Sequence, residues 1–65
     1  MLTFKVEDMT CNHCAGAITR AVKEVDADAR VDVQVAEKRV QIDSELAAVQ
    51  FAEAIREAGY TPVPA

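Results

Sequence analysis

The sequence has no tryptophan and only three aromatic residues, Phe4, Phe51 and Tyr60. It has two glycines, two prolines, two cysteines and a single histidine in 65 residues. Each shortage excludes something. So short a chain makes one domain at most, and a domain of this size buries only about 60% of its unfolded surface. With few aromatics, its core must be thin and aliphatic. No apolar run approaches the roughly 20 residues that span a membrane. Charges interrupt the start, "MLTFKVED", before any signal-peptide apolar region can form. The chain therefore reads as cytoplasmic, with no direct membrane insertion. Two cysteines in a cytoplasmic chain are reduced thiols rather than a staple, and a loop closed between Cys11 and Cys14 would restrict the unfolded chain little. Positive charge is short as well. Net charge is −4, and acidic neighbours interleave Lys5, Arg20, Lys23, Arg30, Lys38, Arg39 and Arg56. Nucleic-acid binding needs a clustered basic face, so it is excluded as a function. No Pro/Gly/Ser linker divides the chain, so residues 1–65 read as a single domain.

What is present is strong periodicity. Leu2, Phe4 and Val6 alternate with Thr3 and Lys5, the pattern of a half-buried strand. From Cys14 the period changes: Cys14, Ile18, Ala21, Val22 and Val25 form the inner stripe of an amphipathic helix. Thr10 or Asn12 is its expected N-cap, and it fades at "DADA". Alternation returns with Val31, Val33 and Val35 inward. The charged turn "AEKR" leads to Val40 and Ile42, completing a hairpin. A second helix is expected from Ser44 to Ala58, capped by Asp43 or Ser44, with Ala48, Phe51, Ala52, Ile55 and Ala58 inward. Gly59 stops it in a left-handed conformation with Tyr60 as the following contact. "YTPVP" is extended, its prolines suited to an edge strand. The order β-α-β-β-α-β, in halves of about 1–35 and 38–65, is that of an α+β, ferredoxin-like split βαβ fold. Right-handed crossovers place both helices on one face of a four-stranded antiparallel sheet. The other face, carrying Thr3, Lys5, Arg30, Asp32, Gln34 and Gln41, is expected to be wet.

The chemistry is concentrated in "MTCNHC", residues 9–14, between the first strand and the first helix. Both cysteines and the only histidine lie there. Cys11 is expected in the loop and Cys14 in the first helical turn. Such connections lie at the surface and often carry function. Three uses are open: metal binding, disulfide cycling, or small core residues. Two thiolates are soft ligands, which select Cu(I) and its relatives. Zinc takes four ligands in structural sites and three plus water in catalytic ones, so two cysteines suit Cu(I) better. His13 stands between them, where its ring is badly placed to close on the same ion. The helix N-terminus favours anions through its free N–H groups and dipole, which raises thiolate character at Cys14 and at Cys11. An exposed, under-coordinated site can also give up its ion, because another protein's thiolates can attack it and share it before taking it. No acid/base or nucleophile constellation accompanies the pair, so the chain is not expected to be an enzyme.

"VEDMTCNHC", in this setting, resembles the heavy-metal-associated domain family, whose signature is M-x-C-x-x-C. The resemblance extends through "IREAGYTPV", similar to the family's closing helix and Gly-Tyr turn, and so covers essentially the whole chain. Within the family, a small free-standing chain looks most like a bacterial cytoplasmic copper chaperone. Such proteins hand Cu(I) to copper-transporting P-type ATPases. The resemblance implies Cys11 and Cys14 as ligands and Met9 as a buried residue under the loop. Tyr60 matches an aromatic near the loop in bacterial members. One position departs: Asp8 stands where the family often has Gly. That adds a negative charge and removes a permissive backbone position.

Other readings stand beside these. A detached metal-binding domain of such an ATPase and a mercury carrier share the same motif. A thioredoxin-like dithiol is the usual reading of C-x-x-C near a βαβ pattern, but the chain is too short for that fold. His13 is either a solvated loop residue or an auxiliary group whose imidazole would make transfer pH-dependent. Met9 is a core residue or a thioether ligand. Tyr60 is a helix-end contact or a shield for the ion. Arg20 and Lys23 are a solvated face or a dock for an acidic partner. Exposed thiolates of two chains can share copper, so a copper-bridged homodimer is an alternative loaded form.

Overall fold

The computed structural model describes residues 2–10 and 12–65. The elements run β1 (Leu2–Val6), α1 (Asn12–Val25), β2 (Arg30–Gln34), β3 (Arg39–Asp43), α2 (Ala48–Glu57) and β4 (Pro62–Pro64). The strands form one sheet in the order β2-β3-β1-β4, and every neighbouring pair is antiparallel. This is the ferredoxin-like arrangement that the sequence pattern predicts.

Register follows from alternation. Phe4 lies opposite Val40 in β3 and opposite Pro64 in β4, and Val33 of β2 continues the row beyond Val40. Because strand side chains alternate with period two, this row and its neighbours Val6 and Ile42 share one face. Phe4, Val6, Val40 and Ile42 join Ile18 and Val22 of α1 and Phe51 and Ile55 of α2 in one buried cluster. Both helices therefore cover the same face of the sheet. Each such side chain contributes on the order of 1.5–3 kcal/mol by leaving water. On the opposite face Arg30 and Asp32 are exposed, and Thr3, Lys5, Gln34 and Gln41 half-buried. The prolines sit in β4, at the edge of the sheet, where a missing N–H breaks no interior ladder.

The end of α2 forms as the sequence predicts. Gly59 has φ 100°. The Gly59 N–H donates to the Arg56 carbonyl at 3.0 Å, and the Tyr60 N–H to the Ile55 carbonyl at 3.2 Å. These are the two hydrogen bonds of a Schellman motif.

Its beginning differs. The helix starts at Ala48, not Ser44, and its N-cap is Ala47, with no side-chain cap. Asp43 is the last residue of β3, opposite Arg30. Ser44 is occupied elsewhere: its hydroxyl donates to Asp26 Oδ2 at 2.7 Å and accepts the Leu46 N–H at 3.1 Å. A serine committed to a local turn competes with helix initiation rather than promoting it. Ala48 and Ala58, expected inward, are exposed.

The turn between β2 and β3 closes with the Lys38 N–H donating to the Val35 carbonyl at 3.1 Å. Lys38 has φ 55°, the single non-glycine residue with positive φ among those described. A left-handed residue after the turn matches the right-handed twist of the hairpin. Lysine gives no sequence signal for it.

Candidate metal centre

β1 ends at Val6, and a tight turn follows, with the Met9 N–H donating to the Val6 carbonyl at 3.2 Å. Glu7 and Asp8 occupy this turn in the open, and Met9 is fully buried. Strict alternation would have turned Asp8 inward. The turn breaks the strand and lets the thioether enter the core cluster beneath the loop instead. Asp8 does not have a positive φ. The backbone position needs no glycine here, so a side chain costs nothing sterically.

Asn12 is the first residue of α1 and so is part of the helix rather than its cap. Thr10 lies two positions earlier, and Cys11 lies outside the described residues. Cys14 falls in the first turn of α1, as predicted, and is 8% exposed. Its neighbour His13 faces solvent. The first turn carries no acidic residue. The positive dipole end of the helix therefore acts on the thiol's surroundings without a carboxylate in the first turn to offset it. Among the described residues no three His, Cys, Asp or Glu side chains come together to hold a metal ion. Cys14 is thus the thiol that the described residues place at this end, and Cys11, its neighbour in the C-x-x-C spacing, lies outside them.

Tyr60 is half-buried against the core cluster. Its neighbour Thr61 donates its N–H to Asp8 Oδ1 at 3.2 Å. The Lys38 ammonium donates to the Glu7 carbonyl at 3.1 Å, and the Val6 N–H to the Lys38 carbonyl at 2.8 Å. The turn before α1 is thus tied to the β2–β3 turn on one side and to the segment after α2 on the other. Sequence reasoning missed both ties. The charge of Asp8 is visible in the sequence, but its partner lies 53 residues away.

Of the two basic residues on the outer face of α1, Arg20 is exposed. Lys23 is not simply solvated: its ammonium donates to the Ala29 carbonyl and holds the α1–β2 loop. A groove of about 600 Å³ runs between α1 and α2, bordered by Ala21, Glu24, Ala54 and Glu57. Met9, Thr10, His13 and Cys14 are not among the residues that line it.

A β-α-β-β-α-β sandwich with a cysteine in the first turn of α1 and a buried methionine before it belongs to a recognisable class. Residues 3–61 match the model of the heavy-metal-associated domain, and the chain belongs to that family. It is 34% identical over 61 residues to the copper chaperone CopZ of Staphylococcus aureus, covering 89% of this chain and 90% of that protein. Among solved structures it is similar to the copper chaperone Atx1 from Synechocystis PCC6803, with TM-score 0.93, 38% identity and coverage of 97% and 100%. It is also similar to a gold binding protein, with TM-score 0.95, 32% identity and full coverage of both chains. These relatives bind metals or act as chaperones, and the chain, like them, is not an enzyme. No helix among the described residues is long and apolar enough to cross a membrane.

Proposed function

We propose that this chain, residues 1–65 acting as one heavy-metal-associated domain, is a cytoplasmic copper chaperone. It binds one Cu(I) through the thiolates of Cys11 and Cys14 and passes it to a copper-transporting P-type ATPase. The observation that carries the reading is the placement of Cys14 in the first turn of α1, in one core cluster with a fully buried Met9. There the helix end favours an anionic bis-thiolate, and the thioether is committed to the core rather than to the ion. Likeness to copper chaperones over nearly the whole chain supports copper as the cargo.

Transfer is ligand exchange without redox change. An incoming thiolate of the ATPase's metal-binding domain adds to Cu(I), giving a three-coordinate ion shared between the proteins. Cys11 or Cys14 then leaves as thiolate, and a second exchange completes delivery. Soft, low-coordinate Cu(I) suits this path, and reduced thiols in the cytoplasm keep the ligands available.

The test is direct transfer. The Cu(I)-loaded chain is mixed with the isolated N-terminal metal-binding domain of a copper-transporting P-type ATPase, and copper is measured on each after separation. Copper moving to the acceptor from the parent but not from Cys14→Ser supports the reading. Copper that stays on the chain while an excess of metal-free acceptor is present would contradict it. Likeness to a gold binding protein favours a second reading, a carrier of another thiophilic ion such as Hg(II). A higher affinity for that ion than for Cu(I) would make it the better one.

A further inference from the structure

The loop before α1 is restrained at two points, and the second has no counterpart in the chemistry of the ligands. Asp8 Oδ1 accepts the Thr61 N–H at 3.2 Å. Thr61 follows Tyr60, whose own N–H is given to Ile55, and precedes Pro62, which lies opposite Val6 in the sheet and has no N–H. Between the turn that ends α2 and the β4 ladder, Thr61 therefore carries the only backbone donor. Asp8 takes that donor. Asp8 joins neither of the ion pairs found among the described residues, Lys5–Glu7 and Arg39–Glu37. Its backbone does not require its side chain, since the turn is closed by the Met9 N–H and the Val6 carbonyl. The contact to Thr61 is what the Asp8 carboxylate does in the structure.

We propose that Asp8 is a positioning residue for the metal loop, latching the Tyr60–Thr61 segment to residues 7–10 so that a bound ion is released slowly. The inference rests on the reading that Cys11 and Cys14 hold the ion. Cys14 is held in α1 and Met9 in the core, and the Asp8–Thr61 contact restrains the separation of the two loops beside them. An incoming thiolate must enter from solvent, and a latch across the loops opposes the opening that admits it. The latch needs an acceptor oxygen rather than a charge, and its exposure keeps the effect modest.

Two variants separate the latch from the charge. Asp8→Ala removes the acceptor, whereas Asp8→Asn keeps an acceptor oxygen and loses the charge. Two readouts are needed: exchange of the Thr61 amide hydrogen in the metal-free chain, and the rate at which bathocuproine disulfonate strips Cu(I) from the loaded chain. The proposal predicts that both rise by about five-fold in Asp8→Ala, the size of one net hydrogen bond. Asp8→Asn returns both to within about two-fold of the parent. Parent-like Thr61 exchange in Asp8→Ala overturns the latch. Faster Thr61 exchange with unchanged copper release overturns the positioning role alone. Asp8→Asn behaving as Asp8→Ala in both readouts assigns the effect to charge and also overturns it. If the parent takes up no Cu(I), the proposed function fails first, and the positioning role falls with it.

Discussion

The Lys38 ammonium reaches the carbonyl of Glu7 across 31 residues of sequence, while the backbone of Lys38 itself sits at φ 55°. One residue thus holds the turn before α1 and bears the strain of its own turn. The two roles separate by substitution, because Lys38→Gly and Lys38→Ala both lose the ammonium and differ in the cost of a left-handed backbone. Lys38→Gly should be more stable than Lys38→Ala by about 1 kcal/mol. Urea unfolding of the pair measures this, and coincident midpoints would mean that the left-handed turn is not kept in solution.

Met9 tests the distinction between core and ligand. Its side chain is fully buried, so Met9→Ala should cost about 2–5 kcal/mol, a large share of the stability of so small a domain. Met9→Leu keeps the volume and should cost less than about 1.5 kcal/mol. Cu(I) affinity of Met9→Leu should match the parent in a competition titration. A ten-fold loss would make the thioether a ligand.

The two glycines should respond in opposite directions. Gly59 has φ 100°, so Gly59→Ala is strained even though nothing lies within 4 Å of the added Cβ; it should lose about 1 kcal/mol. Gly16 lies inside α1 and is exposed, again with nothing within 4 Å. Gly16→Ala should gain about 0.5–1 kcal/mol. Thermal melts of the two variants beside the parent decide both signs.

Arg20 and Lys23 share the outer face of α1 and should nevertheless behave differently. Lys23→Glu breaks the bond to the Ala29 carbonyl and should lower stability by about 0.5–1.5 kcal/mol. Arg20→Glu should leave the unfolding midpoint within about 0.5 kcal/mol of the parent. If an acidic partner docks here, Arg20→Glu also slows copper transfer at low salt. Transfer rates equal to the parent's at low ionic strength would remove Arg20 from docking.

These predictions divide along what the sequence makes legible. Local regularities were readable: the alternation of Leu2, Phe4 and Val6, the stripe of Ile18 and Val22, and the left-handed glycine with its following tyrosine. Each is decided by neighbours within a few positions. Misread or unread features depend on distant partners. A serine before an apolar stripe signals a cap and so predicts that α2 starts at Ser44, whereas the Ser44 hydroxyl serves Asp26, 18 residues earlier. Asp8 read as a departure from a glycine pattern, and its meaning lies in Thr61. Lys23 read as surface charge or dock because a donated bond to a loop carbonyl leaves no trace in periodicity. At the site, residue types and spacing made the soft pair visible, and the structure adds where Cys14 and Met9 stand.

The central claim is that Cys11 and Cys14 together hold one Cu(I). A competition titration against a chromophoric Cu(I) chelator, under reducing conditions without oxygen, tests it most directly on the parent, Cys11→Ser and Cys14→Ser. The account predicts one Cu(I) per chain for the parent and loss of at least about a hundred-fold in affinity, or about 2.7 kcal/mol, for either variant alone. Parent-like affinity in either serine variant would contradict it.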